Sequence, residues 1–290
     1  MPIEQNPTVR RRRLGLELRR HREAAGATLD DAALRLECHK TKISRIENGR
    51  SGVRARDVRE LLALYGVSDA DVQAFLEALA KSGAKRGWWQ KYGPAIPSAY
   101  ADLIDLEAAA THIRTFQTIL IPGLLQTESY SRAVHASNPA AIDPATLEVL
   151  LEVRAARQDV LAKTSPVTRF EAIIFEAAIR TPVGSREIMR DQLERLLEVG
   201  ESPNIELQIL PMAVGAHAGM SGPFVIFKFP LPADGDVVFL ENLTSSLYVE
   251  TLGETEFYTL VYDKLRSAAL NPKASIAAIR AAISQFDRGE

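Results

Sequence analysis

Two short helical patterns sit back to back between Thr28 and Gly49, with almost no chain between them. Thr28 is a natural N-cap for the first, and Asp30 and Asp31 fall in its opening turn, where the helix dipole favours negative charge. Ala32, Ala33 and Leu36 form its inner face. The second pattern runs from about Lys40 to Glu47, turns Ile43 and Ile46 inward, and stops at Asn48-Gly49. Only Glu37-Cys38-His39 separates the two, so they must meet at a tight apolar elbow, with Ala33 small enough to let them cross closely. An elbow of this kind leaves one face of the second helix free. That face carries Lys40, Thr41, Ser44 and Arg45, with Lys42 alongside.

These residue types suit a nucleic-acid duplex. Arg45 can present two donors to guanine O6 and N7, Lys40 can do the same or meet a phosphate, and Thr41 and Ser44 can reach base edges or a thymine methyl. Thr28, Lys42, Asn48, Arg50 and Arg54 are placed for backbone phosphates, with Arg56 in the same loop as Arg54. Arg10, Arg11, Arg12 and Arg13 read as an arm along the duplex backbone. A cationic helix is more often just a solvated surface, and the charge distribution weighs against that here. Residues 1–60 hold 15 Lys and Arg against 9 Asp and Glu, a surplus of +6, while residues 61–290 hold 20 against 28, a deficit of −8. A basic head on an acidic body points the head at a polyanion. Glu47 would repel phosphates if it faced them, so it is expected to turn inward and pair with Arg22.

Further helical patterns surround the elbow. One ahead of it carries Leu14 and Leu18 and ends before Gly26. A fourth carries Val58, Leu61, Leu62 and Leu64 and breaks at Gly66, and a fifth, capped by Ser68, turns Val72, Phe75, Leu76 and Leu79 inward. The first 82 residues therefore read as an all-α, five-helix domain. Residues 83–97, polar and then Trp- and Pro-containing, read as a linker, and 98–290 as an α+β domain with mostly antiparallel strands. Helices are expected at 98–109, 127–136, 144–162, 185–199, 254–269 and 273–286, and strands at 112–120, 167–174, 205–210, 223–229, 236–241 and 246–250.

Composition bounds the compartment and the chemistry. At 290 residues, 46% apolar and 25% charged, the chain is an ordinary globular protein. The single cysteine, Cys38, excludes an internal disulfide and a Cys-based zinc site, and no apolar run approaches a membrane span. A cytoplasmic protein with no membrane partner is expected. The histidines (His21, His39, His112, His135, His217) show no metal-binding spacing, and Gly219-Met220-Ser221-Gly222 is one residue short of a nucleophile elbow. No catalytic residue, metal or cofactor is expected. The least ordinary stretch is Pro211 to Phe224, where Gly215, Gly219, Gly222 and His217 form a loop suited to a ligand or a partner, or simply a glycine-rich turn into a strand.

Residues 14–64 resemble a lambda-repressor-like (Xre-type) helix-turn-helix domain, through Thr28-Leu29, Ala33, Leu36 and the string Lys42-Ile43-Ser44-Arg45-Ile46-Glu47-Asn48-Gly49. The resemblance implies base contacts from Lys40, Thr41 and Arg45, with Ser44 a lesser one. Glu37 departs from it, because many members have glycine in the turn; a non-glycine residue in a left-handed conformation costs about 1 kcal/mol. The remainder resembles a large family of actinobacterial regulators, the WhiJ-type, antitoxin-like proteins of Streptomyces. That likeness rests on Tyr100-Ala101-Asp102-Leu103, Ile121-Pro122-Gly123-Leu124-Leu125-Gln126-Thr127, Tyr130-Ser131-Arg132-Ala133, Arg154-Ala155-Ala156-Arg157-Gln158, Gln192-Leu193, Ile209-Leu210-Pro211, Gly215 to Gly219 and Gly222-Pro223-Phe224. It implies a transcriptional regulator whose C-terminal domain mediates dimerisation and regulation, or an antitoxin-like protein that binds a small protein encoded nearby. Double-stranded DNA and a second copy of the chain are the expected partners, since one short recognition helix reads few base pairs.

Overall fold

The computed structural model describes residues 9–84, 88–138, 142–230, 235–243 and 245–288, without the side chains of 9, 10, 82–84, 94, 98, 99 and 288. The chain divides into two compact units, one drawn from residues 1–105 and the other from 106–230 and 235–290. The division falls within a helix, α6 (Ser98–Ala109).

The first unit opens with five helices: α1 (Val9–Ala24), α2 (Leu29–Arg35), α3 (Lys40–Glu47), α4 (Ala55–Leu64) and α5 (Ala70–Ala84). Their core is made by the periodic apolar positions: Leu14 and Leu18 from α1, Ala32 and Ala33 from α2, Ile43 and Ile46 from α3, Val58, Leu61 and Leu62 from α4, and Phe75 and Leu76 from α5. Thr28 caps α2 reciprocally, its hydroxyl accepting from the Asp31 N–H at 3.1 Å and its own N–H donating to Asp31 Oδ2 at 2.8 Å. The elbow keeps the left-handed turn despite its side chain. Glu37, at φ 50°, is the one non-glycine residue with positive φ among those described.

α1 crosses α3 with its backbone bare. A Cβ placed on Gly15 would lie 2.4 Å from the Ile46 carbonyl oxygen and 2.5 Å from that of Glu47, so only glycine lets the helices approach this closely. α1 begins at Val9, so Arg11, Arg12 and Arg13 lie on its first turns. Arginine is a good helix former, and here it continues the turns that bury Leu14 and Leu18. Arg12 reaches Asp102 at 3.4 Å, and Arg13 lies over the Phe75 ring at 5.1 Å. The expected linker holds a 3-10 segment over Trp88–Ala95, interrupted at Gly93; residues 85–87 lie outside the described part of the chain.

The second unit is built on a six-stranded mixed sheet in the order β3-β2-β1-β4-β5-β6. The strands are β1 (His112–Gln117), β2 (Arg169–Phe175), β3 (Ile205–Leu210), β4 (Phe224–Lys228), β5 (Val237–Glu241) and β6 (Ser246–Val249). β4, β5 and β6 form the expected antiparallel meander, and β4 also pairs antiparallel with β1. β1, β2 and β3 are parallel to one another, which strand-like stretches alone do not announce. Each parallel step needs a crossover. α7 (Glu128–Ala136) and α8 (Pro144–Gln158) supply the first, α9 (Glu176–Arg180) and α10 (Arg186–Val199) the second. Burial on both faces gives β2 its continuous run Phe170 to Ile174. α11 (Leu252–Ala268) and α12 (Pro272–Arg288) complete the unit. Tyr262 and Leu265 of α11 pack with Phe116, Ile173, Phe224, Ile226 and Val238.

Candidate nucleic-acid interface

Helix α3 owes its position to its buried side. Ile43 and Ile46 are 1% and 2% exposed, and Glu47 is drawn in with them because Arg22 meets it in two bonds, Nε to Oε1 at 2.6 Å and Nη2 to Oε2 at 3.0 Å. The same guanidinium donates to the Ala27 carbonyl at 3.0 Å and so ties the end of α1 to α3. Glu47 is thereby turned away from the outer face, as expected from charge alone, and its hydrogen bond raises the Arg22 pKa.

The opposite side of α3 is open. Thr41 and Arg45, one helical turn apart, project away from Ile43 and Ile46, and Asn48 continues the same ridge. Lys40, Thr41, Lys42 and Arg45 are exposed and Ser44 is half-buried. Arg45 and Lys42 make no ion pair among the described residues, so their charge is available. Lys40 lies 3.7 Å from Asp30 in a pair exposed on both sides, an arrangement worth little in water. The N-terminus of α3 is capped by His39, whose Nδ1 stands 2.8 Å from the Thr41 hydroxyl and accepts from the Thr41 N–H at 3.3 Å. Histidine is a poor predictor of an N-cap, so this role is not visible in the sequence.

The phosphate candidates fall into three groups. Arg11, Lys42 and Arg54 come together around one cleft of about 450 Å³, with Ser51, Gly52 and Asp57 also on its wall. Their charges converge although they lie on α1, α3 and the segment leading into α4. Thr28 and Asn48 have committed their polar groups. The Thr28 hydroxyl and N–H both serve Asp31, and the Asn48 amide donates to the Ser44 carbonyl at 2.7 Å. Arg50 and Arg56 are exposed on the loop after α3 and at the start of α4. Arg10 lies in α1, but its side chain is outside the described part of the chain.

The glycine-rich loop of the second unit folds onto the sheet end. The His217 ring stands edge-on to Phe116 with centroids 5.7 Å apart and leans on Phe175 at 5.3 Å. Its Nδ1 accepts from the Gly219 N–H at 3.2 Å. A Cβ on Gly219 would fall 2.3 Å from Phe116 Cε1, so glycine is required by packing there, whereas Gly222, at φ 124°, has open space around it.

A buried polar lattice occupies the middle of the same unit. Gln126 donates to the Ile121 carbonyl at 2.8 Å, accepts from the Ser131 hydroxyl at 2.8 Å, and also accepts a short bond from Arg154. Gln158 reaches the Gln126 carbonyl at 2.7 Å; Gln192 reaches the Leu125 carbonyl at 2.9 Å and accepts from the Thr127 N–H at 2.7 Å. Arg157 and Glu107, each with its side chain 6% exposed, close a two-bond pair at 2.8 and 2.6 Å. These groups spend their hydrogen bonds largely on one another. Among the described residues, no three His, Cys, Asp or Glu are grouped to hold a metal, and no helix is long and apolar enough to cross a membrane.

Comparison with known proteins adds two matches. Residues 13–75 match a family described as a helix-turn-helix domain, and residues 100–281 match one described as a domain of unknown function (DUF5753). No curated protein and no solved structure matches the chain.

Proposed function

From the premise that this chain belongs to the DUF5753 family and carries a helix-turn-helix domain ahead of it, we propose that it is a sequence-specific DNA-binding transcription regulator. The observation that carries this reading is the outer face of α3, where Arg45 and Lys42 stand exposed and unpaired on a helix whose other side is locked into the core. Arg45, Lys40, Thr41 and Ser44 read bases in the major groove. Arg11, Lys42 and Arg54, gathered at their cleft, hold the phosphate backbone together with Arg50. Residues 1–82 form the reading head, 83–97 the linker and 98–290 the regulatory body, within the cytoplasm. The protein acts as a homodimer on a two-fold operator, which supplies the base pairs that one short helix lacks.

Gel shifts on operators selected from random duplexes test this reading. Arg45→Ala is expected to weaken binding by about 1–3 kcal/mol and to relax preference at one base pair in each half-site. Binding unchanged by that substitution removes the assignment.

A second reading is favoured by the exposed apolar residues between β5 and the middle of α11: Leu243, Leu247, Leu252, Phe257 and Leu260 are each more than half exposed. Such residues belong under a protein partner. In this reading the partner is a small protein encoded nearby, as in antitoxin-like regulators, and DNA binding is autoregulatory. Co-purification of the neighbouring gene product with the chain, lost on Phe257→Asp, is the expected result. A chain that purifies alone, as a dimer dispersed by the same substitution, assigns the patch to the homodimer instead.

A further inference from the structure

The two rims of β3 are treated differently along its length. The bond from Phe170 N–H to the Asn204 carbonyl sets the parallel ladder, so the even-numbered residues of β3 bond to β2 and Ile205, Leu207 and Ile209 turn their backbone groups outward. At Ile209 both groups are taken: its N–H donates to the Ser275 hydroxyl at 2.9 Å, and its carbonyl accepts from Leu270 N–H at 2.9 Å. At Ile205 the N–H is taken by the Ser202 carbonyl at 3.0 Å. Between these plugs the Leu207 N–H, the Leu207 carbonyl and the Ile205 carbonyl meet no protein partner among the described residues. Leu207 is only 6% exposed. Main-chain groups of a largely covered residue are normally paired in a folded protein.

The opening in front of these groups is a cleft of about 600 Å³, within the size range of ligand sites. Leu196, Ile276, Ile279 and Val167 supply its apolar wall, while Arg169 and Glu206 lie at its polar side. Ile276 and Val167 remain 38% and 52% exposed on it.

We propose that this cleft is a peptide-binding site, which takes a short extended segment as an added strand on β3. A residue that offers an N–H and a carbonyl together is met by a residue of an antiparallel strand, which exchanges both bonds with it. The incoming residue opposite Leu207 shares the sheet face of the Leu207 side chain, which packs beside Gly200 at the end of α10. It is therefore apolar. Its neighbours point to the face that carries Arg169 and Glu206 and are polar. The plugs at Ile209 and Ile205 limit the seat to about three residues, so the ligand is a short motif and not a long strand. This deepens the regulatory part of the function proposed above by naming its input, and it does not depend on the contact with DNA.

The test uses the full chain, 15N-labelled, and N-acetylated pentapeptide amides with Val, Ile, Leu, Met or Phe at the centre and mixed polar flanks, each pool at 1 mM. At least one pool is expected to shift the Leu207 amide signal and to slow its exchange with solvent. Methylation of the central peptide nitrogen should then weaken binding at least tenfold, because it removes the donor to the Leu207 carbonyl. Ile276→Arg should abolish binding while the thermal midpoint stays within a few degrees. The proposal is overturned if no pool moves Leu207, if the bound peptide is indifferent to N-methylation, or if decanoate fills the cleft where every peptide fails. DNA affinity, measured on the same samples, reports separately on the reading head: loss of one result leaves the other standing.

Discussion

The two units differ in where they leave a guanidinium open and where they enclose one. In the helical head, Arg45 and Arg54 are exposed and make no ion pair among the described residues, while Arg22 is spent on holding α3 to α1. In the sheet unit, Arg157 is buried against Glu107, and the part-buried Arg154 and Arg114 are bound to Gln126 and Ser131 and to Glu171. Cation count does not say which of these charges face outward; solvent and partners do. A guanidinium in water with no carboxylate nearby keeps its field for an incoming polyanion. One buried against a carboxylate has no field to spare and serves as a strut. The surplus of +6 in the head therefore matters because Lys42 and Arg45 of α3 are unspent.

If the buried arginines are struts, removing one should cost stability. Arg157→Ala leaves Glu107 charged and buried, and about 3–5 kcal/mol of unfolding free energy should be lost in urea titration. A loss below 1 kcal/mol would break the contrast. The head should be more sensitive to backbone geometry than to charge. Gly15→Ala forces α1 and α3 apart and is expected to cost about 2–3 kcal/mol, read in the same titration.

Acid sharpens the comparison further. Burial pushes the Glu171 carboxyl up, but the hydrogen bond and charge of His112, with the charges of Arg114 and Arg169, outweigh burial and hold it at about 2. A carboxyl held below its unfolded value stabilises the fold above that unfolded value, and the contribution is lost as pH falls through the folded one. Between about pH 5 and pH 2, roughly 2 kcal/mol should therefore drain from the sheet unit. Glu171→Gln should flatten that limb of the pH–stability curve. The smallest effect belongs to the surface: Arg54→Ala should weaken DNA binding alike on all sequences and reduce the salt slope by about one unit, with no change in unfolding.

Local chemistry was legible in the sequence and long-range chemistry was not. Thr28 with Asp31, the span of α3 and the inward turn of Glu47 toward Arg22 follow from helix spacing and charge over short separations. The β4–β5 pair follows from two β-rich runs close together. Nothing local reveals that β1, β2 and β3 run parallel, because more than 25 residues of chain lie between consecutive members. Gly15 is silent for a related reason: its partners, Ile46 and Glu47, are 31 and 32 residues away. The family-like segments around Gln126 turn out to be one connected lattice, a relation that no separate motif expresses.

The contact at Gly15 also governs angular precision. Eight residues make α3 about 12 Å long, so a tilt of ten degrees about its inner end moves the far end by about 2 Å. Hydrogen bonds tolerate only a few tenths of an ångström. Backbone resting on backbone is a bearing with almost no play, since no side chain intervenes to flex or change rotamer. The instrument's aim is thus machined into the smallest residue it has, and recalibration would require changes at this pivot as well as at the tip.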